Sequence, residues 1–99
     1  MKTKLELRVK DGNGGVRILP AGLPVTFQKD KPSVCLVSHE SRPEPYRVRV
    51  TSAFRAPSME KLGEWSFDSV CKSIGGEIVE PDGWDENNSP SWFLALGMI

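Results

Sequence analysis

Residues 46–54 read Tyr46-Arg47-Val48-Arg49-Val50-Thr51-Ser52-Ala53-Phe54. Successive side chains on a strand point to opposite faces, so alternation of apolar and polar residues predicts a half-buried β-strand. Tyr46, Val48, Val50 and Phe54 then share the inner face, with Ser52 the exception. Arg47, Arg49, Thr51 and Ala53 take the outer one. This is the strongest strand signal in the chain, and it sets the frame for its neighbours.

Working back from it, His39 to Pro45 is a polar loop whose Pro43 and Pro45 cannot donate to a ladder. Val34–Ser38 (Val-Cys-Leu-Val-Ser) is apolar on both faces, the pattern of a central strand. Val25–Lys29 is a further strand, entered from the turn Pro20-Ala-Gly-Leu-Pro24. Val16–Leu19 is another, joined through Asp11-Gly-Asn-Gly-Gly15 to residues 4–10, where Leu5, Leu7 and Val9 alternate with charges. The glycines and Asn13 tolerate the positive φ of a hairpin turn. A phosphate-binding loop would need a helix N-terminus after those glycines, and a strand follows instead. Five strands parted by Pro/Gly turns predict an α+β fold with a small, strongly curved antiparallel sheet or SH3-like barrel of about five strands. The segment Val16–Phe27 resembles the strand, Pro/Gly turn, strand unit of SH3-like barrels.

Downstream of Phe54 the pattern changes. Ser66 reads as an N-cap, Asp68 as a first-turn acid, and Trp65 and Val70 as a hydrophobic staple. These predict one helix over Phe67–Ile74, with Cys71 on its apolar face and Gly75 as its left-handed stop. Ser58–Leu62 is compatible with an earlier helical turn. Glu77–Glu80 reads as a short edge strand and Pro81-Asp-Gly83 as a turn. Asp85–Ser89 reads as an acidic, polar loop. Ser89 as N-cap and Pro90 at the first helical position start a short C-terminal helical segment carrying Trp92, Phe93, Leu94 and Leu96. So apolar an end needs cover, either by closing one end of the sheet or as a homodimer interface through Trp92–Ile99.

The chain has 99 residues, 38% hydrophobic and 26% charged. This predicts one domain over residues 1–99 and excludes a multi-domain enzyme or a disordered chain. No apolar run approaches the ~20 residues of a membrane span. Charges alternate with leucines at the start, leaving no signal-peptide core, so a cytoplasmic protein is expected. Cys35 and Cys71 read as buried, reduced thiols rather than a disulfide framework. The formal net charge of zero conceals an imbalance: residues 1–61 hold 12 Lys/Arg against 6 Asp/Glu, and residues 62–99 hold 1 against 7. The simplest expectation is that the two parts attract each other inside the fold. The alternative is a charged face for a partner.

The candidate chemistry is thin. A Cys–His nucleophile needs an exposed thiolate, and both cysteines fall in apolar patterns while His39 lies in a loop. Asp82, Asp85, Glu86, Asn87 and Asn88 are oxygen-rich but lack the EF-hand spacing, and no zinc spacing occurs. The carboxylate pairs Glu77/Glu80 and Asp82/Asp85 sit in polar sequence, which offers no desolvation to raise a pKa. No metal, cofactor or catalytic residue is therefore expected. Binding candidates remain: Arg42, Arg47, Arg49 and Arg55 around one strand, and Trp84 with Asp85 in the acidic loop. Strand alternation turns Tyr46 and Phe54 away from Arg47 and Arg49, which separates stacking rings from phosphate-binding cations.

The tail Val79-Glu-Pro-Asp-Gly-Trp-Asp85, with Ser89-Pro-Ser-Trp-Phe-Leu-Ala-Leu-Gly-Met-Ile99, resembles the endings of small uncharacterised bacterial proteins associated with phages or plasmids. The resemblance implies a bacterial accessory protein that binds something and blocks or adapts it, and it assigns no residue a role. The expected function is a non-enzymatic binding or regulatory protein with a protein partner. The alternative is a nucleic-acid-binding small β-barrel using the Arg47/Arg49 face.

Overall fold

The structure, a computed structural model, describes residues 1–10 and 12–99. The turn read at Asp11–Gly15 therefore begins outside the described residues. Among the described residues, seven short antiparallel strands and three helices follow the order β1 (Leu7–Lys10), β2 (Val16–Leu19), β3 (Val25–Phe27), β4 (Val34–Val37), β5 (Tyr46–Arg49), α1 (Val50–Ala53), α2 (Met59–Asp68), β6 (Cys71–Lys72), β7 (Ile78–Val79) and α3 (Trp92–Ala95). The α+β class and the five expected strands are present. Their pairing differs from the single curved sheet or barrel expected: β1–β2, β3–β4–β5 and β6–β7 are three separate sheets.

The N-terminal segment explains part of that separation. Lys2 bridges Pro24, the Met1 carbonyl accepts from the Val25 amide at 2.9 Å, and buried Thr3 takes the Gly22 and Leu23 amides on its hydroxyl at 3.0 and 3.1 Å. These bonds tie the turn between β2 and β3, and the first amide of β3, to the N-terminal segment instead of to β2. The Lys4 and Leu5 amides then both donate to the Ala53 carbonyl, at 2.9 and 3.0 Å, before the chain diverges into β1.

β4 is central in its sheet, as its two apolar faces required, with Cys35 opposite both Phe27 and Val48. The long strand expected through Phe54 stops at Arg49. Its partner ends there, because Arg49 pairs with Val34 and the next amide, on Val50, donates to the Ser33 carbonyl. With no ladder left, the chain coils into α1. That places Val50 and Ala53, three apart, on one buried helical face and moves Ala53 from its expected outer position into the core.

The main helix also lies elsewhere than expected. It is capped by Ser58, whose hydroxyl accepts from the Lys61 amide at 3.1 Å, and it ends where Ser69 turns left-handed at φ 60°. Leu62 and Trp65 form its inward stripe, so Trp65 is mid-helix rather than a staple. Phe67, expected on the buried face, is 91% exposed, and Cys71 belongs to β6, opposite Val79. The C-terminal helix starts two residues late, with Ser91 rather than Ser89 as its cap. Trp92, Phe93 and Ala95 are buried against the chain's own core, which leaves Met98 and Ile99 as the exposed apolar residues of the tail. The core joins these to Leu7, Leu19, Val37, Tyr46, Phe54 and Leu62, and the Phe27 and Phe54 rings meet at 5.9 Å. Each such side chain contributes roughly 1.5–3 kcal/mol by leaving water. Extents of 47 × 25 × 21 Å make the molecule elongated.

Candidate functional site: a cationic groove

Two edge strands face each other across an open groove of about 590 Å³, with β1 as one wall and β5 as the other. Pairing with β2 on one side leaves β1 an outer edge, and pairing with β4 does the same for β5. The walls carry one motif twice: Arg8-Val9-Lys10 and Arg47-Val48-Arg49. In both, the cations are exposed while the valine between them is half-buried and packs on the core. Alternation produces that division, and i to i+2 spacing sets like residues about 7 Å apart along each wall.

Among the described residues none of Arg8, Lys10, Arg47 and Arg49 meets a carboxylate within 4.0 Å. With Arg42 they make five cations, and Glu44 is the only acid among the described lining residues. Arg42 is held differently. Its Nε donates to the Glu44 carbonyl at 2.9 Å, a terminal nitrogen donates to the Pro45 carbonyl at 2.7 Å, and its guanidinium lies 3.9 Å over the Tyr46 ring. It folds the 42–45 loop onto β5 and shields Tyr46, contributing charge without reach. The Tyr46 hydroxyl sits 2.9 Å from Ser41 Oγ, and His39 Nδ1 accepts from the Ser41 amide at 3.0 Å. The ring is 6% exposed, so the groove presents no stacking face.

The other sequence candidates fall outside this groove. Arg55 is exposed after Phe54 and does not line it. Trp84 lines a separate groove of about 440 Å³, where Lys29 Nζ stands 5.0 Å from its ring centre. Asp85 is buried with its carboxylate turned inward: Oδ2 accepts from the Ser73 hydroxyl at 2.6 Å, and Oδ1 from the Asn87 and Ser89 amides, both at 2.9 Å. It organises its own loop. Sequence reasoning missed Arg8 and Lys10, although their Arg-Val-Lys repeats the pattern of Arg47-Val48-Arg49.

The thiols are shielded. Burial pushes Cys35 from 9.0 up to about 11 and raises Cys71 as well, so both are neutral near pH 7. The His39 ring is engaged with Ser41. Among the described residues no three His, Cys, Asp or Glu are grouped to hold a metal ion, and no helix is long and apolar enough to cross a membrane. Among the described residues the two oppositely charged parts meet in one ion pair only, Lys61–Glu64 at 3.4 Å, which spans their boundary within α2 and is local to that helix. Compared with family models, curated proteins and solved structures, the chain matches none.

Proposed function

We propose that this is a non-enzymatic binding protein that takes an anionic segment of a macromolecular partner into the β1–β5 groove. One observation carries the reading: four exposed cations on two facing walls, none meeting a carboxylate among the described residues. Such clustering raises the local concentration of an anionic ligand and its rate of encounter. Exposed ion pairs contribute about 0.2–1 kcal/mol each, so four give modest, salt-sensitive affinity suited to an accessory or regulatory role. That role fits the bacterial phage or plasmid context implied by the tail, and a cytoplasmic site of action.

The test is titration with fluorescein-labelled poly-glutamate and with a single-stranded oligonucleotide, at 50 and 300 mM salt. Binding that weakens with salt and falls at least tenfold in Arg47→Glu/Arg49→Glu is the expected result. Absence of binding to both probes at low salt overturns the proposal.

A further inference from the structure

We infer that the partner segment is an acidic stretch of protein in extended conformation, added as a strand between β1 and β5. This rests on the groove reading above and names the class of partner. The walls themselves carry it. An open strand edge presents a row of backbone N–H and C=O groups, a template for another strand. Here two such edges flank one groove, which offers an inserted strand a template on each side. A nucleic acid has no backbone complementary to those rows.

The side-chain pattern agrees. A strand in the groove sends alternate residues to the two faces of the joined sheet. On one face lie Arg8, Lys10, Arg47 and Arg49; on the other lie Val9 and Val48, half-buried against the core. The matching sequence alternates acidic with apolar residues over about four to six positions. The acids meet a cation from each wall, and the apolar residues extend the core. The covered Tyr46 ring points the same way, since single-stranded nucleic acid is held by stacking on open aromatic faces and none lines this groove. The product is a continuous sheet in the order β2-β1-partner-β5-β4-β3.

The experiment compares four probes on the intact protein. They are an end-capped eight-residue peptide of alternating Glu and Val, a block peptide of the same composition, the alternating peptide N-methylated at every second residue, and an oligonucleotide of equal charge. Affinity is read by titration, and amide hydrogen exchange is followed at residues 7–10 and 46–49. The expected result is at least tenfold tighter binding of the alternating peptide than of the other three, with exchange slowed on both edges. In Arg8→Glu/Lys10→Glu, which alters exposed side chains only, that preference shrinks. Equal binding of block and alternating peptides, tolerance of N-methylation, or a preference for the oligonucleotide overturns strand addition while leaving the anion-binding groove in place. Failure of every anionic probe removes both.

Discussion

The cationic groove and the acidic loop at residues 82–89 lie in the two oppositely charged parts of the chain, and they use charge in opposite ways. In the loop, the buried carboxylate of Asp85 takes three hydrogen bonds from its own surroundings. No buried polar side-chain atom among the described residues lacks a partner. In the groove, none of the four wall cations meets a carboxylate among the described residues, and β1 and β5 each keep one edge without a partner strand there. Charge already answered within the chain builds structure, and charge left unanswered at a concave surface is available to a ligand. By that criterion Asp85 and Arg47 part company, although both stood out in the sequence as binding candidates.

The largest effect that tests this contrast is Asp85→Ala. Removing the carboxylate orphans the Ser73 hydroxyl and two amides, costing about 3–5 kcal/mol by the usual penalty for buried unpaired groups. Denaturant unfolding should show that loss, and a change below 1 kcal/mol would place Asp85 among the open charges. Next is alkaline pH. The folded state holds the Cys35 proton more tightly than the unfolded chain does. Stability is therefore whole below the ordinary value of 9.0 and falls as pH climbs from there to about 11. The full decline attributable to this thiol is about 2–3 kcal/mol. Comparing unfolding of the wild type and Cys35→Ala from pH 8 to 11 isolates it, and parallel curves would contradict the shielding described.

Arg47→Glu/Arg49→Glu should do the reverse of Asp85→Ala: stability within about 0.5 kcal/mol of wild type, affinity for poly-glutamate down tenfold or more. A large drop in melting temperature would mean these arginines are engaged after all. The smallest pair is Ser58→Ala against Ser66→Ala. Loss of the true cap costs about 1 kcal/mol, whereas Ser66, mid-helix and exposed, should be nearly silent. Equal effects would return the helix start to Ser66.

Local patterns in the sequence were good guides wherever the partner was adjacent. Val16–Leu19 is a strand with the bounds its residues imply, and β4 is central as its double apolar face required. The guides failed where a distant element decided. Nothing in Tyr46–Phe54 announces that β4 runs out opposite Arg49, so the coil into α1 was invisible. The sequence pattern puts the cap at Ser66 and only an earlier turn at Ser58–Leu62, whereas burial of Leu62 and Trp65 starts the helix at Ser58 at the expense of Phe67. For the site, exposure of Arg47 and Arg49 followed from alternation alone. The facing wall, Arg8 and Lys10, is a tertiary pairing that no local rule contains. Asp85 carried a readable signal: an aspartate ahead of Asn87 and Ser89 takes their amides in a local turn.

The first five residues touch widely separated parts of the chain. Thr3 holds Gly22 and Leu23, Lys4 and Leu5 hold Ala53, and the Met1 sulfur receives the Ser89 hydroxyl at 3.8 Å. Met1 also lies over Gly75, where an added Cβ would come within 3.0 Å of it and 2.9 Å of the Asp85 carboxylate. These contacts span up to 88 positions. Their loops must close before the native packing rewards them, which slows folding relative to a chain of local contacts. The segment that leads into β1 is therefore fully fixed only once a residue 88 positions away has docked on it.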